Sequence, residues 1–209
     1  MAALLAFTAE ADPLLHLFVV LAATTGARRG QLLALRWTDI DLETASISFQ
    51  RALVEGPSGP VLVPTKTRRS HRVALDPGTA ALLAAWLAGI VHAQAEVRDR
   101  FIFCYDVVGT RPWKPNYVTK RFIRSRKAAG LGHFRLHDLR HFMATQMLDV
   151  GVAVPIVAAR LAHARASTTL NVYAHAVPGG DRHAAQQLSQ RLTEAMSASV
   201  KLKAFEDVG

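Results

Sequence analysis

The 209-residue sequence has a single cysteine and few acidic side chains, and it lacks any apolar run of the roughly 20 residues that cross a bilayer. Cys104 has no partner, which excludes an intrachain disulfide framework and a cysteine-based zinc site. The first residues also lack the basic, apolar and cleavage regions of a signal peptide. These absences predict a soluble, cytoplasmic protein.

Positive charge is concentrated in one part of the chain. The 25 Lys and Arg residues outnumber the 16 Asp and Glu residues, which gives a formal net charge of +9. Residues 1–63 are slightly acidic, whereas residues 111–140 contain nine basic side chains and one acid, Asp138. A localised basic surface indicates a polyanionic partner, most often nucleic acid, although a solvated helix face without a ligand would give the same pattern.

The spacing of apolar and turn residues predicts a mostly α-helical fold with a small antiparallel three-stranded sheet, an α+β class. The predicted helices begin near Pro13, Arg29, Pro77, Pro115, His137 and Pro155, with a further short one over residues 167–175. The three predicted strands are residues 45–49, 61–63 and 72–75, each bounded by turn residues.

The end of the chain predicts one more helix. Residues 181–198 carry apolar side chains at helical spacing after Pro178-Gly179-Gly180. We therefore expect one domain over residues 1–180 and a C-terminal helix and tail over residues 181–209. The apolar face of that helix would pack either on its own domain or on a neighbouring protomer.

Five short segments carry side chains suited to phosphate chemistry. In chain order they contain Arg28, Lys66, the pair His137 and Arg140, His163, and Tyr173. An arginine at a helix entrance binds anions, an imidazole can protonate a phosphate oxygen, and a tyrosine hydroxyl can act as a nucleophile. Each segment alone is weak evidence, because surface arginines, turn lysines and packed core tyrosines are common.

A metal site is the competing interpretation of the two histidines in the third segment. His137 and His141 are four residues apart and would share a helix face. However, the order His-x-x-Arg-His lacks the glutamate of a His-Glu-x-x-His motif, the sequence offers no obvious third ligand, and Arg140 would repel a cation. We expect no metal.

Taken together and in this order, the five segments resemble the catalytic domain of the tyrosine recombinase (phage integrase) family. The resemblance covers about residues 10–195 and includes a Thr-Thr-Leu-x-x-Tyr-x-His ending at His175. It implies the fold of that domain and a site-specific recombinase that cuts and rejoins double-stranded DNA through a 3′-phosphotyrosyl intermediate, without a cofactor. The implied catalytic residues are Arg28, Lys66, His137, Arg140, His163 and Tyr173.

The resemblance also implies a role for each of these residues. Tyr173 would attack the scissile phosphorus, while Arg28, Arg140 and His163 would donate to its non-bridging oxygens. Lys66 would protonate the leaving 5′-oxygen, and His137 would assist proton transfer at the tyrosine hydroxyl. The DNA-facing basic surface would include Arg68, Arg69, Arg72, Lys120, Arg121 and Arg124.

Three departures from the family pattern stand out. Ala162 occupies a position where the family usually has glycine, and Gln31 one where it often has glutamate. The N-terminal helical domain that usually completes a clamp around the duplex is missing, so we expect an excised or truncated catalytic domain.

Partners follow from the resemblance as well. It implies a homotetramer on paired recombination sites, aided by accessory DNA-bending or directionality factors, in a bacterial, nucleoid-associated setting. Without DNA we expect a monomer. Two alternatives stay open: a type IB topoisomerase-like enzyme, and a DNA-binding protein on the same fold that has lost catalysis.

Overall fold

The structure is a computed structural model that describes residues 1–65, 71–93 and 99–163, with isolated positions 167, 169, 185, 186, 188–190 and 193. None of the helices in these ranges has the length and apolarity needed to cross a membrane.

Three helices form the N-terminal part: α1 (Ala2–Ala11), α2 (Pro13–Thr25) and α3 (Arg29–Leu33). The Asp12 carboxylate accepts a hydrogen bond from the Leu15 N–H and thereby caps α2, with Pro13 at the first helical position. Helix α1 was not predicted, because its N-terminus has no side-chain cap.

Five strands follow, in two separate antiparallel pieces. Strands β1 (Ile40–Asp41), β2 (Ser46–Phe49) and β5 (His71–Ala74) form a three-stranded sheet with β2 in the centre. Strands β3 (Arg51–Gly56) and β4 (Gly59–Pro64) form a hairpin of their own.

The predicted three-stranded sheet is therefore present, but the assignment of residues 61–63 to it was wrong. The two-residue Pro57-Ser58 turn pairs Gly56 directly with Gly59, so residues 61–63 in β4 have β3 as their partner. The third strand of the sheet is β1, which is too short to give an alternating pattern.

Four further helices complete the described fold: α4 (Pro77–Ala93), α5 (Pro115–Ala128), α6 (Asp138–Asp149) and α7 (Val154–Arg160). Their bounds agree with the predicted helix starts to within one residue. An irregular segment, residues 99–114, connects α4 to α5 within the described ranges.

Helix α2 is at the centre of the hydrophobic core and packs against α1, α3, α4, α5 and α6. Its side chains Leu17, Phe18 and Leu21 are fully buried, and Phe18 meets Phe103 edge to face at 4.9 Å between ring centroids. Since α2 is buried along its length, its C-terminal end is held in a fixed position. The candidate active site is built around that end.

Candidate active site

The segment that places Arg28 depends on a left-handed turn at the end of α2. Gly26 has φ of +65°, in the left-handed region that favours glycine. The chain then turns into α3, for which Arg28 is the N-cap residue. The Arg28 side chain is exposed and faces an open cavity.

Gln31 supports this turn through the main chain. Its Oε1 accepts a hydrogen bond from the Arg28 N–H at 3.0 Å, and the side chain is buried. The amide therefore retains the acceptor that a glutamate would provide, without the negative charge. This hydrogen bond fixes the backbone of Arg28.

Arg140 is a buried arginine that joins two helix ends. Only 5% of the residue is exposed. Its Nη1 donates to the Gly26 carbonyl oxygen and its Nη2 donates to the Leu161 carbonyl oxygen, the latter at 2.6 Å. Because Gly26 and Leu161 cap α2 and α7, the guanidinium sits where both helix dipoles favour a cation.

The two histidines of α6 contact each other. His137, the N-cap residue of α6, is exposed, and its ring meets that of His141 edge to face at 4.9 Å between centroids. Partial burial lowers the pKa of His137, and His141 and Arg140 lower it further. The described ranges contain no group of three His, Cys, Asp or Glu side chains arranged to hold a metal ion.

His163 follows directly from the C-terminal cap of α7. Its N–H donates to the Ala158 carbonyl oxygen at 3.0 Å, and its Nδ1 hydrogen-bonds the Thr169 Oγ1 at 2.8 Å. Burial lowers the pKa of His163, and the positive charges of Arg140 and Arg28 lower it further. His163 lines the same cavity as both arginines.

These side chains share one cavity of about 1070 Å³. Helices α3 and α6, the β3–β4 hairpin and the end of α7 supply its walls. Its polar and charged lining includes Arg28, Arg29, Gln31, Thr65, His71, Arg135, His137, Arg140 and His163. The structure therefore brings together four of the six predicted catalytic residues.

The other two, Lys66 and Tyr173, lie outside the described residues, as do Arg68 and Arg69. Two described residues are close to Lys66 and Tyr173 in the sequence. Thr65, which precedes Lys66, lines the cavity. Thr169, four residues before Tyr173, is fully buried and bonded to His163.

The basic residues of α5 divide into two groups. Lys120 and Arg124 are exposed. Arg121 is instead paired with the Asp12 carboxylate, and its guanidinium lies 4.5 Å from the centre of the Trp113 ring. Arg126 is buried and donates to the Phe134 carbonyl oxygen at 2.6 Å.

Arg72, on β5, also has an intramolecular partner. Its Nη2 lies 2.9 Å from the Asp41 Oδ2 of β1, and both side chains are solvent-accessible. The bond can exchange with water or another anion at little cost, because exposed ion pairs contribute little to stability.

Two residues of this region were missed in the sequence. His71 follows the basic residues Lys66, Arg68 and Arg69 in the sequence, and Arg160 lies outside the five segments. Arg160 donates to the Thr24 and Ala74 carbonyl oxygens and so ties α7 to α2 and β5. No spacing signal could have found either residue, since their partners are main-chain atoms distant in sequence.

Comparison with known proteins adds independent evidence. The sequence model of the phage integrase family matches residues 1–178. The chain is 28% identical over 185 residues to the ICEBs1 integrase of Bacillus subtilis, covering 84% of this chain and 48% of that protein. It is 28% identical over 189 residues to a XerC-like tyrosine recombinase of Caldanaerobacter subterraneus, covering 81% and 48%. The chain thus spans about half the length of these curated relatives.

Solved structures with a similar fold include two recombination proteins. The Tn1549 transposon integrase, solved in complex with transposon right end DNA, superposes with a TM-score of 0.73 at 19% identity, covering 90% of this chain and 63% of the other. The XerA recombinase superposes with a TM-score of 0.66 at 22% identity, covering 89% and 61%. At these identities the likeness establishes the fold of a tyrosine recombinase catalytic domain.

Proposed function

The chain belongs to the phage integrase family, and on that premise we propose that it is the catalytic part of a site-specific DNA recombinase. It would cut and rejoin double-stranded DNA through a 3′-phosphotyrosyl intermediate, in DNA integration and recombination. The observation that carries the proposal is the convergence of Arg28, His137, Arg140 and His163 on one cavity. Relatives of this chain are named integrases and tyrosine recombinases.

The cavity suits a phosphodiester because positive charges outnumber its one described acid, Glu55, and because Arg28 and Arg140 are held in different ways. Arg140 is locked by two main-chain carbonyls, so a phosphate approaching it would meet a guanidinium already oriented. Arg28 is exposed and can adjust to the phosphate. Both guanidiniums would donate to the non-bridging oxygens as negative charge develops, and His163 would donate to one of the same oxygens.

The covalent step would involve Tyr173 and Lys66, which lie outside the described ranges, together with His137. The Tyr173 hydroxyl oxygen would attack the scissile phosphorus, a P–O bond to tyrosine would form, and the bond to the 5′-oxygen would break. Lys66 would give its proton to the departing 5′-oxygen, and His137 would assist removal of the tyrosine proton. The position of Thr65 in the cavity wall and the Thr169–His163 hydrogen bond support these assignments.

DNA would approach along the basic surface beside this cavity. We propose Arg68, Arg69, Arg72, Lys120, Arg121 and Arg124 as its phosphate contacts. The exposure of Lys120 and Arg124 supports their part of the proposal. Arg72 and Arg121 would have to share their guanidiniums with Asp41 and Asp12, so we expect smaller contributions from them.

Covalent capture is the experiment that tests the function. The purified chain is incubated with a pool of random-sequence duplexes, each carrying a nick that lets the released strand diffuse away. We expect a denaturation-resistant protein–DNA adduct that survives EDTA and needs no nucleotide. Tyr173→Phe should abolish the adduct, whereas Tyr105→Phe, which removes a hydroxyl from a different part of the chain, should retain it.

The outcomes separate the alternatives. An adduct in Tyr173→Phe would contradict the assignment of the nucleophile, and activity that requires added zinc or magnesium would contradict the metal-free mechanism. Adduct formation with plasmid relaxation but no strand exchange would favour a type IB topoisomerase-like reaction. Duplex binding without an adduct would favour a non-catalytic DNA-binding protein.

Assembly is a separate part of the proposal. We expect a monomer in the absence of DNA and a homotetramer on paired sites, joined through residues 181–198. The few described positions of that segment are helical and exposed, including Leu188. Light scattering measures the first state, and a stable DNA-free tetramer would contradict it. Deletion of residues 181–209 should weaken pairing of sites more than adduct formation.

A further inference from the structure

We propose that His71 is a positioning residue for His163, acting through the C-terminal cap of α7. Only the expected effect on the reaction rate rests on the function proposed above. The contact itself is a hydrogen bond between the His71 Nε2 and the Ala159 carbonyl oxygen, 2.8 Å long. His71 lines the same cavity as Arg28, Arg140 and His163.

The C-terminal cap of α7, which His71 contacts, determines the position of the His163 backbone. The Ala162 N–H donates to the Ala159 carbonyl oxygen at 2.9 Å, and the His163 N–H donates to the Ala158 carbonyl oxygen at 3.0 Å. These two bonds form a Schellman motif, which ends a helix with a left-handed residue. Ala162 is that residue, with φ of +49°, a conformation that is unfavourable for alanine.

A strained cap needs support from outside the helix, and two side chains supply it. Arg140 holds the Leu161 carbonyl oxygen, and His71 holds the Ala159 carbonyl oxygen, which also accepts the first cap bond. Arg140 comes from α6 and His71 from β5. The path of the chain into His163 is therefore fixed from two directions.

The His71 ring is itself held in one orientation. It stacks on Phe49 of the neighbouring strand, with 5.9 Å between ring centroids and 27° between planes. The two residues are directly paired in the β2–β5 ladder. The Nδ1 atom is buried and has no hydrogen-bond partner among the described residues. We therefore assign the proton to Nε2, which donates it to Ala159, and leave Nδ1 as an unprotonated lone pair.

Burial and, after it, nearby positive charge favour the neutral form of the His71 ring. Burial lowers the pKa of His71 and the bond to Ala159 opposes that shift, while Arg140 on α6, Arg28 at the start of α3, and Arg160 on α7 lower the pKa further. Protonation would place a second N–H, buried and without an acceptor, beside three guanidiniums.

The same bond also connects two catalytic segments. His71 is the first residue of β5 and directly follows residues 66–70, which contain Lys66. Ala159 lies four residues before His163. A break between His71 and α7 would leave the Arg160–Ala74 bond as the remaining described side-chain link between α7 and β5, and would loosen the proposed general acid relative to the proposed phosphate ligand.

The test compares two substitutions of His71 in the full chain. His71→Gln keeps an amide N–H near the position of Nε2, whereas His71→Leu removes the donor and keeps an apolar side chain of similar reach. In covalent capture at saturating DNA, we expect His71→Leu to be slower by about 10-fold to 100-fold, the effect of a small misplacement of catalytic groups, with DNA affinity within about twofold. His71→Gln should recover most of the rate.

The matched control is His133→Leu, which removes an exposed imidazole from the loop between α5 and α6. It should leave both the rate and the affinity unchanged. A His71→Leu rate within twofold of the unmodified chain, or a His71→Gln rate as low as that of His71→Leu, would overturn the proposal.

A second measurement does not depend on catalysis. Imidazole ¹⁵N NMR should show His71 protonated at Nε2 and unprotonated at Nδ1, and the His163 ring signals should shift in His71→Leu but not in His71→Gln. If the unmodified chain forms no adduct, the proposed function fails while this measurement still decides the positioning role. Unmoved His163 signals in His71→Leu would refute that role.

Discussion

The cavity around Arg140 and the outer face of α5 both carry positive charge, but they hold it differently. In the cavity, Arg140 is 5% exposed and bonded to two main-chain carbonyls that end helices. On α5, Lys120 and Arg124 are exposed, and within the described ranges neither takes part in an ion pair. The first arrangement fixes a cation before any ligand arrives, and the second leaves it to be ordered by the ligand.

The difference shows why counting charges overestimates a binding surface. Helix α5 contains five basic residues, of which Arg121 and Arg126 turn towards protein partners. The remaining basic side chains, Lys120, Arg124 and Lys127, are exposed, and their three-and-four spacing places them on one face of the helix. An arginine that finds a carboxylate or a carbonyl inside the fold contributes to stability first and to DNA binding second.

Substitution of one arginine in each region tests this comparison most directly. Arg140→Ala should lower the free energy of unfolding by about 3 kcal/mol, because two buried carbonyl groups lose their partner. Arg124→Ala should change it by no more than about 0.5 kcal/mol, as is usual for exposed positions. Urea unfolding of both variants measures the difference. Equal losses would mean that burial does not distinguish the two arginines.

DNA binding should depend more on the exposed Arg124 of α5 than on Arg121, which is paired within the fold. Arg124→Gln should reduce the slope of log affinity against log salt by about one unit, since one phosphate contact is lost. Arg121→Gln should reduce it by less, because Asp12 already occupies that guanidinium, and it should cost about 2 kcal/mol of stability instead. Fluorescence anisotropy at several salt concentrations gives the slopes. An unchanged slope for Arg124→Gln would show that its side chain does not face DNA.

Some elements of the fold could be predicted from the sequence, and others could not. The helix starts at Pro13, Pro77 and Pro115 were predictable because they depend on local capping and on the fixed φ of proline. The pairing of β3 with β4 was not, because a short apolar run carries no information about its partner strand.

The residues of the candidate site likewise include some that could be predicted from the sequence and some that could not. Arg28, His137, Arg140 and His163 were identified through their motifs, and all four line the cavity. His71 was missed because its only sequence signal is a histidine in a basic turn, while its role depends on Ala159, 88 residues away. Arg140 is likewise held by the main-chain carbonyl oxygens of Gly26 and Leu161. The residue type does not reveal a contact with a main-chain atom.

As the pH falls, we expect the histidines of the cavity, rather than the exposed residues of α5, to lower the free energy of unfolding. Burial lowers the pKa of His71, His137 and His163 below the usual 6.5, so the unfolded chain takes up protons first as the pH falls. Their contribution to stability is complete above pH 6.5 and declines as the pH drops below that value towards each lowered pKa. Thermal unfolding between pH 7.5 and 4.5 measures the decline, and His71→Gln should make it shallower. Substitution of Lys120 should leave the profile unchanged, and an identical profile for His71→Gln would contradict a neutral His71.

The smallest expected effect concerns the strain at the end of α7. Ala162 has φ of +49°, in the left-handed region that costs an L-residue roughly 1–2 kcal/mol. Ala162→Gly removes that cost but gives the unfolded chain extra freedom worth about 0.4–1 kcal/mol, so we expect a net stabilisation of about 0.5 kcal/mol. Ala45, with φ of +44°, is the matched control outside the cavity, and Ala45→Gly should stabilise by a similar amount. Denaturant midpoints of the two variants decide the comparison. If Ala45→Gly stabilises the protein and Ala162→Gly does not, then the bonds from His71 and Arg140 already offset the strain at the cap, and the glycine usual in the family would bring no stability here.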